Sequence, residues 1–130
     1  MSGMTLSFKR LNDKARIPSR GTMDSAGLDI YAALPDINTP LRSPGNELCV
    51  TADEEGKPCV VVPPHTTVLI PTGLAVMPDR RDIAMLIYPR SGLAVNHGIG
   101  LANSVAVIDS DYRGEIMIPL HNNSDKDFVV

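Results

Sequence analysis

Short apolar stretches, each only a few residues long, recur along the chain between clusters of proline, glycine and small polar residues. Segments of this length bounded by turn formers predict strands at Leu6 to Leu11, Cys59 to Val62, Thr67 to Ile70, Gly73 to Met77, Ile83 to Tyr88, Val105 to Asp109 and Glu115 to Asn122. No uninterrupted amphipathic helix of ordinary length fits between the breakers, although one short helix is expected after Ser91, which would cap it. Regular short strands predict an all-β fold, a jelly-roll-like sandwich or barrel. In the last strand Ile116, Ile118 and Leu120 share one face, while Pro119 removes a ladder donor and so predicts an edge or a bulge.

One stretch departs from this pattern. From Ala106 to Ile116 an apolar strand is interrupted by closely spaced charges around a single aromatic. Val105 and Val107 on one side, and Ile116, Ile118 and Leu120 on the other, read as buried positions. The intervening Asp-Ser-Asp-Tyr-Arg-Gly is then the turn of a hairpin with carboxylates at its mouth. Asp109, placed where the strand reaches that turn, is either a turn former or a general base for a substrate and water brought within reach. Tyr112 is either a half-buried hairpin aromatic or a rigid plane suited to a sugar face. Asn103 offers both a donor and an acceptor to a base edge. Asp111, Arg113 and Glu115 read as a salt-bridged hairpin or a subunit contact.

Two further segments carry candidate chemistry. Arg90, Ser91 and Gly92 combine a cation, a hydroxyl and a glycine that admits main-chain donors, which suits phosphate at a helix start; without ligand the same residues are a capped helix start. Asp29, in Ala26-Gly27-Leu28-Asp29, lies between apolar residues and needs a partner or water. His65, His97 and His121 are dispersed, with His97 beside Gly98 expected in a loop, and none is assigned a catalytic role.

At 130 residues the chain is read as one domain, 1–130, whose core rests on Val, Ile, Leu and Met, since it has two Phe, three Tyr and no Trp. A net charge of -3 argues against sequence-independent nucleic-acid binding but leaves room for a nucleotide pocket with local cations. Cys49 and Cys59 could close a disulfide. The polar start of the chain and the lack of a membrane-length apolar run instead favour free thiols, a cytoplasmic protein and no membrane partner. Two cysteines without neighbouring histidines make a poor zinc site.

The wording, order and spacing of Ala26 to Ala33, Pro89 to Ala94 and Ala106 to Ile116 resemble the first three motifs of the trimeric dUTP pyrophosphatase family. The resemblance implies Mg2+-dependent hydrolysis of dUTP to dUMP and pyrophosphate, in a homotrimer with sites at subunit interfaces. It further implies Asp109 as the residue that orients and activates water, Tyr112 stacked on the deoxyribose, and Ser91 at the oxygen bridging the α- and β-phosphates. Arg90 and Gly92 would join Ser91 on the phosphates. Asn103 and the backbone near Val107 and Ile108 would read uracil, Met117 would be a peripheral substrate contact, and Asp29 would act near the metal through water. Two alternatives stay open: a nucleotide-sensing regulatory protein with little activity, and a dCTP deaminase relative, which the Asp-Tyr-Arg-Gly wording disfavours.

Three departures from the family are evident. Residues 36–58 read as an inserted surface excursion, either ornamental or a lid or partner contact, with Asn46 to Thr51 pairing with Cys59 to Val62. The family's fourth and fifth motifs, with a C-terminal strand and arm, are not found in this sequence, which predicts weaker triphosphate binding and slower reaction. Ala106 also stands where the family commonly has glycine, and would be strained if that position required a positive φ.

Overall fold

The computed structural model describes residues 3–130; Met1 and Ser2, the first residues of the polar start, lie outside that range. The strands are β1 (Leu6–Arg10), β2 (Pro40–Leu41), β3 (Leu48–Cys49), β4 (Thr51–Ala52), β5 (Pro58–Cys59), β6 (Val61–Val62), β7 (Thr67–Pro71), β8 (Leu74–Pro78), β9 (Met85–Ile87), β10 (Ile99–Leu101), β11 (Ala106–Ile108), β12 (Met117–Asn122) and β13 (Phe128–Val129), with helix α1 (Ser91–His97) between β9 and β10. All ladders are antiparallel. They join β1 to β8, β7 to β12 to β10, β9 to β11, β6 to β13, β2 to β3 and β4 to β5.

Two apolar clusters form the core, one of Val60, Val62, Val68 and Ile70, the other of Val76, Ile87, Ala106 and Ile116, and Ile118 packs against both. Ala106 is buried and is not among the residues with positive φ, so alanine sits here without the strain expected of a glycine position.

The expected hairpin around Asp109 does not form. Both edges of β12 are taken, by β7 and β10, while β11 pairs with β9. Val107 therefore points outward and is 58% exposed, opposite Leu86 in the ladder, whereas Ala106 points into the core. Val105 to Ile108 is apolar on both faces, so alternation alone could not say which face is buried. Pro119 is likewise in a central strand, not at an edge. Its carbonyl accepts the Ala102 amide at 2.8 Å. Since the N–H and C=O of one strand residue point to the same side, its missing donor faces the place where β10 has already ended.

Residues 36–58 fold into the ladders β2–β3 and β4–β5. Thr51 pairs with Cys59 as expected, but Leu48 and Cys49 pair back on Pro40 and Leu41. Val50 is fully buried, and Leu41 and Leu48 pack on the first core cluster, so the segment supplies core as well as surface. Cys49 and Cys59 are free. His97 is the last helical residue, not a loop residue, and its ring lies 5.4 Å from that of Phe128. Among the described residues no helix is long and apolar enough to cross a membrane.

Candidate active site

β11 ends at Ile108 and delivers Asp109 into an exposed loop. The Asp109 carbonyl accepts the Tyr112 amide at 3.1 Å, closing a turn. Its carboxylate makes no hydrogen bond or ion pair among the described residues. Ser110 donates from its hydroxyl to the Arg81 carbonyl at 3.1 Å, which ties the loop to the segment between β8 and β9. Arg81, Ile83, Asp109, Ser110, Asp111 and Arg113 surround a polar depression of about 660 Å³. The expected ion pairs among Asp111, Arg113 and Glu115 are absent among the described residues. The Arg113 guanidinium instead donates to the carbonyls of Ser110 at 2.8 Å and Tyr112 at 3.1 Å. The Glu115 carboxylate accepts the Gly73 amide at 2.9 Å.

Tyr112 folds back over its own loop. Its hydroxyl donates to the Glu115 carbonyl at 2.7 Å, and its ring passes so close to Gly114 that a β-carbon there would lie 2.6 Å from the hydroxyl oxygen. The residue is 42% exposed. Next to this loop, β11 has β9 on one edge and, among the described residues, no strand on the other. Residues of Ala106–Ile108 direct their backbone N–H and C=O alternately toward β9 and toward this second edge. Asn103 is exposed in the turn between β10 and β11, and its side-chain amide has no partner among the described residues. Met117 begins β12, half-buried opposite Pro71.

Asp29 and Arg90 are brought together. The Arg90 Nε lies 3.9 Å from Asp29 Oδ1, with the Asp29 side chain 32% exposed. Both lie on the wall of a largely apolar groove of about 730 Å³ that also meets Leu6, Phe8, Ile87 and Leu93. Asp29 is held by a bridge to Ser19, whose carbonyl accepts its amide at 2.8 Å. Arg90, not Ser91, is the N-cap of α1; its backbone is extended (φ -73°, ψ 136°) and no side chain caps the helix. Ser91 is the first helical residue, its hydroxyl does not cap the helix, and Ser91 and Gly92 are both exposed.

Within one chain, then, the candidate residues fall into two groups. Asp109 and its loop open on one cavity, Asp29 and Arg90 on another. The Glu115 link to Gly73 and the pairing of Arg90 with Asp29 escaped sequence reasoning because their partners are remote; Gly73 and Glu115 are 42 residues apart.

The model of the dUTPase family matches residues 42–130. The chain belongs to the dUTPase family. It is 40% identical over 121 residues to the deoxyuridine 5'-triphosphate nucleotidohydrolase of Buchnera aphidicola subsp. Acyrthosiphon pisum (strain Tuc7), a match covering 93% of this chain and 64% of that protein. The protein of the same name from Syntrophotalea carbinolica is 37% identical over 131 residues, covering 100% of this chain and 73% of its own length. The chain thus spans just under two thirds of the length of the first of these dUTPase relatives. Among solved structures, a mutant dUTPase of Staphylococcus bacteriophage 80alpha with dUpNHpp superposes with a TM-score of 0.65 at 24% identity, over 92% of this chain and 55% of that one. A mutant dUTPase from phage phi11 of S. aureus, described with a structural Mg(II) ion, gives 0.64 at 24% identity over 92% and 61%. The chain has the all-β fold of these dUTPases, with a single short helix among the described residues. The family match begins after Asp29, which falls within the alignment to the Syntrophotalea dUTPase.

Proposed function

We propose that this chain hydrolyses dUTP to dUMP and pyrophosphate, in the cytoplasm and as a homotrimer. The observation that carries this reading is the exposed Asp109 carboxylate, free of protein partners among the described residues, one turn from the Tyr112 ring and continuous with the open edge of β11. A carboxylate so placed can hold a water and take its proton as the water oxygen attacks the α-phosphorus. The bond from that phosphorus to the bridging oxygen breaks in line, and pyrophosphate leaves with the bonding electrons.

Arg90, the Ser91 hydroxyl and the backbone at Ser91 and Gly92 hold the phosphates and meet the negative charge that develops on the leaving group. Tyr112 offers its ring to the deoxyribose, Asn103 and the backbone of Val107 and Ile108 read the uracil edge, and Met117 borders the substrate. Because the Asp109 loop and the Arg90 segment open on different cavities, a complete site joins the Asp109 loop of one subunit to the Arg90 segment of another. The outward pair Val107 and Leu86, 58% and 52% exposed, supports an assembly that covers this face.

No group of three or more potential metal ligands occurs among the described residues, so the donor set does not fit a protein-held cation. It does fit Mg2+ arriving on the triphosphate, an ion that keeps phosphate oxygens and waters as ligands, with Asp29 reaching it through water. Mg2+ so bound would neutralise charge on the departing pyrophosphate. The two free thiols suit a reducing compartment.

Asp109→Asn keeps size and hydrogen bonding while removing the base. It is expected to retain nucleotide binding and lose ~10²–10⁴ in hydrolysis rate. Unchanged hydrolysis in the variant would mean that water is activated elsewhere.

A further inference from the structure

The Tyr112 ring does not simply project from its loop; it rests in a seat made by Gly114 and Glu115, two and three residues further on. We propose that Gly114 and Glu115 are specificity-determining positioning residues, which fix the Tyr112 ring where it meets the sugar and so set the preference for deoxyribose. The proposal rests on the reading of Tyr112 as the sugar-facing ring.

Gly114 supplies the space. A β-carbon there would lie 2.6 Å from the Tyr112 hydroxyl oxygen, 2.8 Å from Cζ and 3.2 Å from Cε2, so any side chain at 114 displaces the ring. The Gly114 backbone is not among the left-handed glycines, so alanine would fit the main chain and its closest clash would be with Tyr112.

Glu115 supplies the anchor, using both its main chain and its side chain. Its carbonyl accepts the Tyr112 hydroxyl at 2.7 Å, and its half-buried carboxylate accepts the Gly73 amide at 2.9 Å. Its neighbour Ile116 is tied to the same turn, with its carbonyl accepting the Thr72 hydroxyl at 2.6 Å and its amide donating to the Leu74 carbonyl at 2.8 Å. The direction of the Glu115 carbonyl, and with it the position of the tyrosine hydroxyl, is thereby set by the turn between β7 and β8. A ring held at one face and at its hydroxyl cannot retreat from an added 2'-hydroxyl, whereas a loose ring can swing aside and tolerate it.

The test is calorimetric titration of the chain with the non-hydrolysable α,β-imido analogues of dUTP and UTP in Mg2+. The parent is expected to prefer the deoxy ligand, Tyr112→Ala to lose that preference, and Gly114→Ala to lose most of it while still binding. Tyr112→Phe keeps the ring and the space but drops the bond to Glu115, and is expected to reduce the preference about fivefold, the worth of one neutral hydrogen bond. A folded Gly114→Ala with the parent's preference would overturn the proposal. If Gly114→Ala does not fold, an undiminished preference in Tyr112→Phe overturns it in its place. A different failure belongs to the underlying reading: no preference in the parent, or full preference in Tyr112→Ala, shows that Tyr112 does not face the sugar.

Discussion

Gly73→Ala tests the turn on which the candidate site leans. Gly73 has φ +65°, a region that costs alanine about 1 kcal/mol. A β-carbon there would also lie 2.8 Å from Ala15 Cβ and 2.9 and 3.0 Å from the amide atoms of Asn12. Neither neighbour can give way easily. Ala15 is buried, and Asn12 Oδ1 accepts the amides of Lys14 and Ala15, both at 3.0 Å. Overpacking of this kind adds ~1–3 kcal/mol, for a total of ~2–4 kcal/mol. Gly45 is the internal control, because it has φ +73° with no atom within 4 Å of an added β-carbon, so Gly45→Ala should cost only the backbone strain. Equilibrium urea unfolding of both variants and the parent, followed by circular dichroism at one protein concentration, separates the two contributions. If Gly73→Ala proves no more destabilising than Gly45→Ala, the packing of this turn against Asn12 and Ala15 is wrong, and so is its use as an anchor for Glu115.

Val50→Ala is expected to lose about 2 kcal/mol in the same unfolding assay, since a fully buried side chain is shortened by two methyl groups; a change under ~0.5 kcal/mol, as at ordinary surface sites, would show that residues 36–58 lie outside the core. The Asp36 carboxylate, hydrogen-bonded to Lys14 Nζ at 2.6 Å, is held below its ordinary value of 3.8, first by that hydrogen bond and then by the lysine charge. The pair's stabilisation is therefore present above the ordinary value and disappears as pH falls through the lowered one. Carboxyl carbon NMR should show an Asp36 midpoint below 3.8 that returns to the ordinary value in Lys14→Met; a midpoint at or above 3.8 in the parent would refute the pairing.

The sequence revealed local features better than remote ones. Thr67–Pro71 and Met117–Asn122 were legible as strands because apolar residues cluster in segments of five and six residues between clear breakers. β2, β10 and β13 were not, for two or three residues carry too little pattern to register. The Asp109 loop announced itself through charges interrupting an apolar run, yet the partners of its flanking strands did not. Val105 to Ile108 is apolar on both faces, and β9, the strand it joins, precedes α1. Ser91 looked like a cap by residue type alone, whereas the extended backbone of Arg90 makes Arg90 the boundary. Gly114 was visible only as part of a turn. Its closeness to Tyr112 depends on how the ring folds back, which no spacing encodes.

Isotopic tracing of the attacking oxygen bears most directly on the central claim. The chain, dUTP and Mg2+ are incubated in water enriched in oxygen-18, and the products are separated and weighed by mass spectrometry. Attack at the α-phosphorus by water held on Asp109 predicts one labelled oxygen in dUMP and none in pyrophosphate, with label incorporation slowed in Asp109→Asn in step with turnover. Label in pyrophosphate, release of orthophosphate, or the absence of any turnover of dUTP would contradict the account.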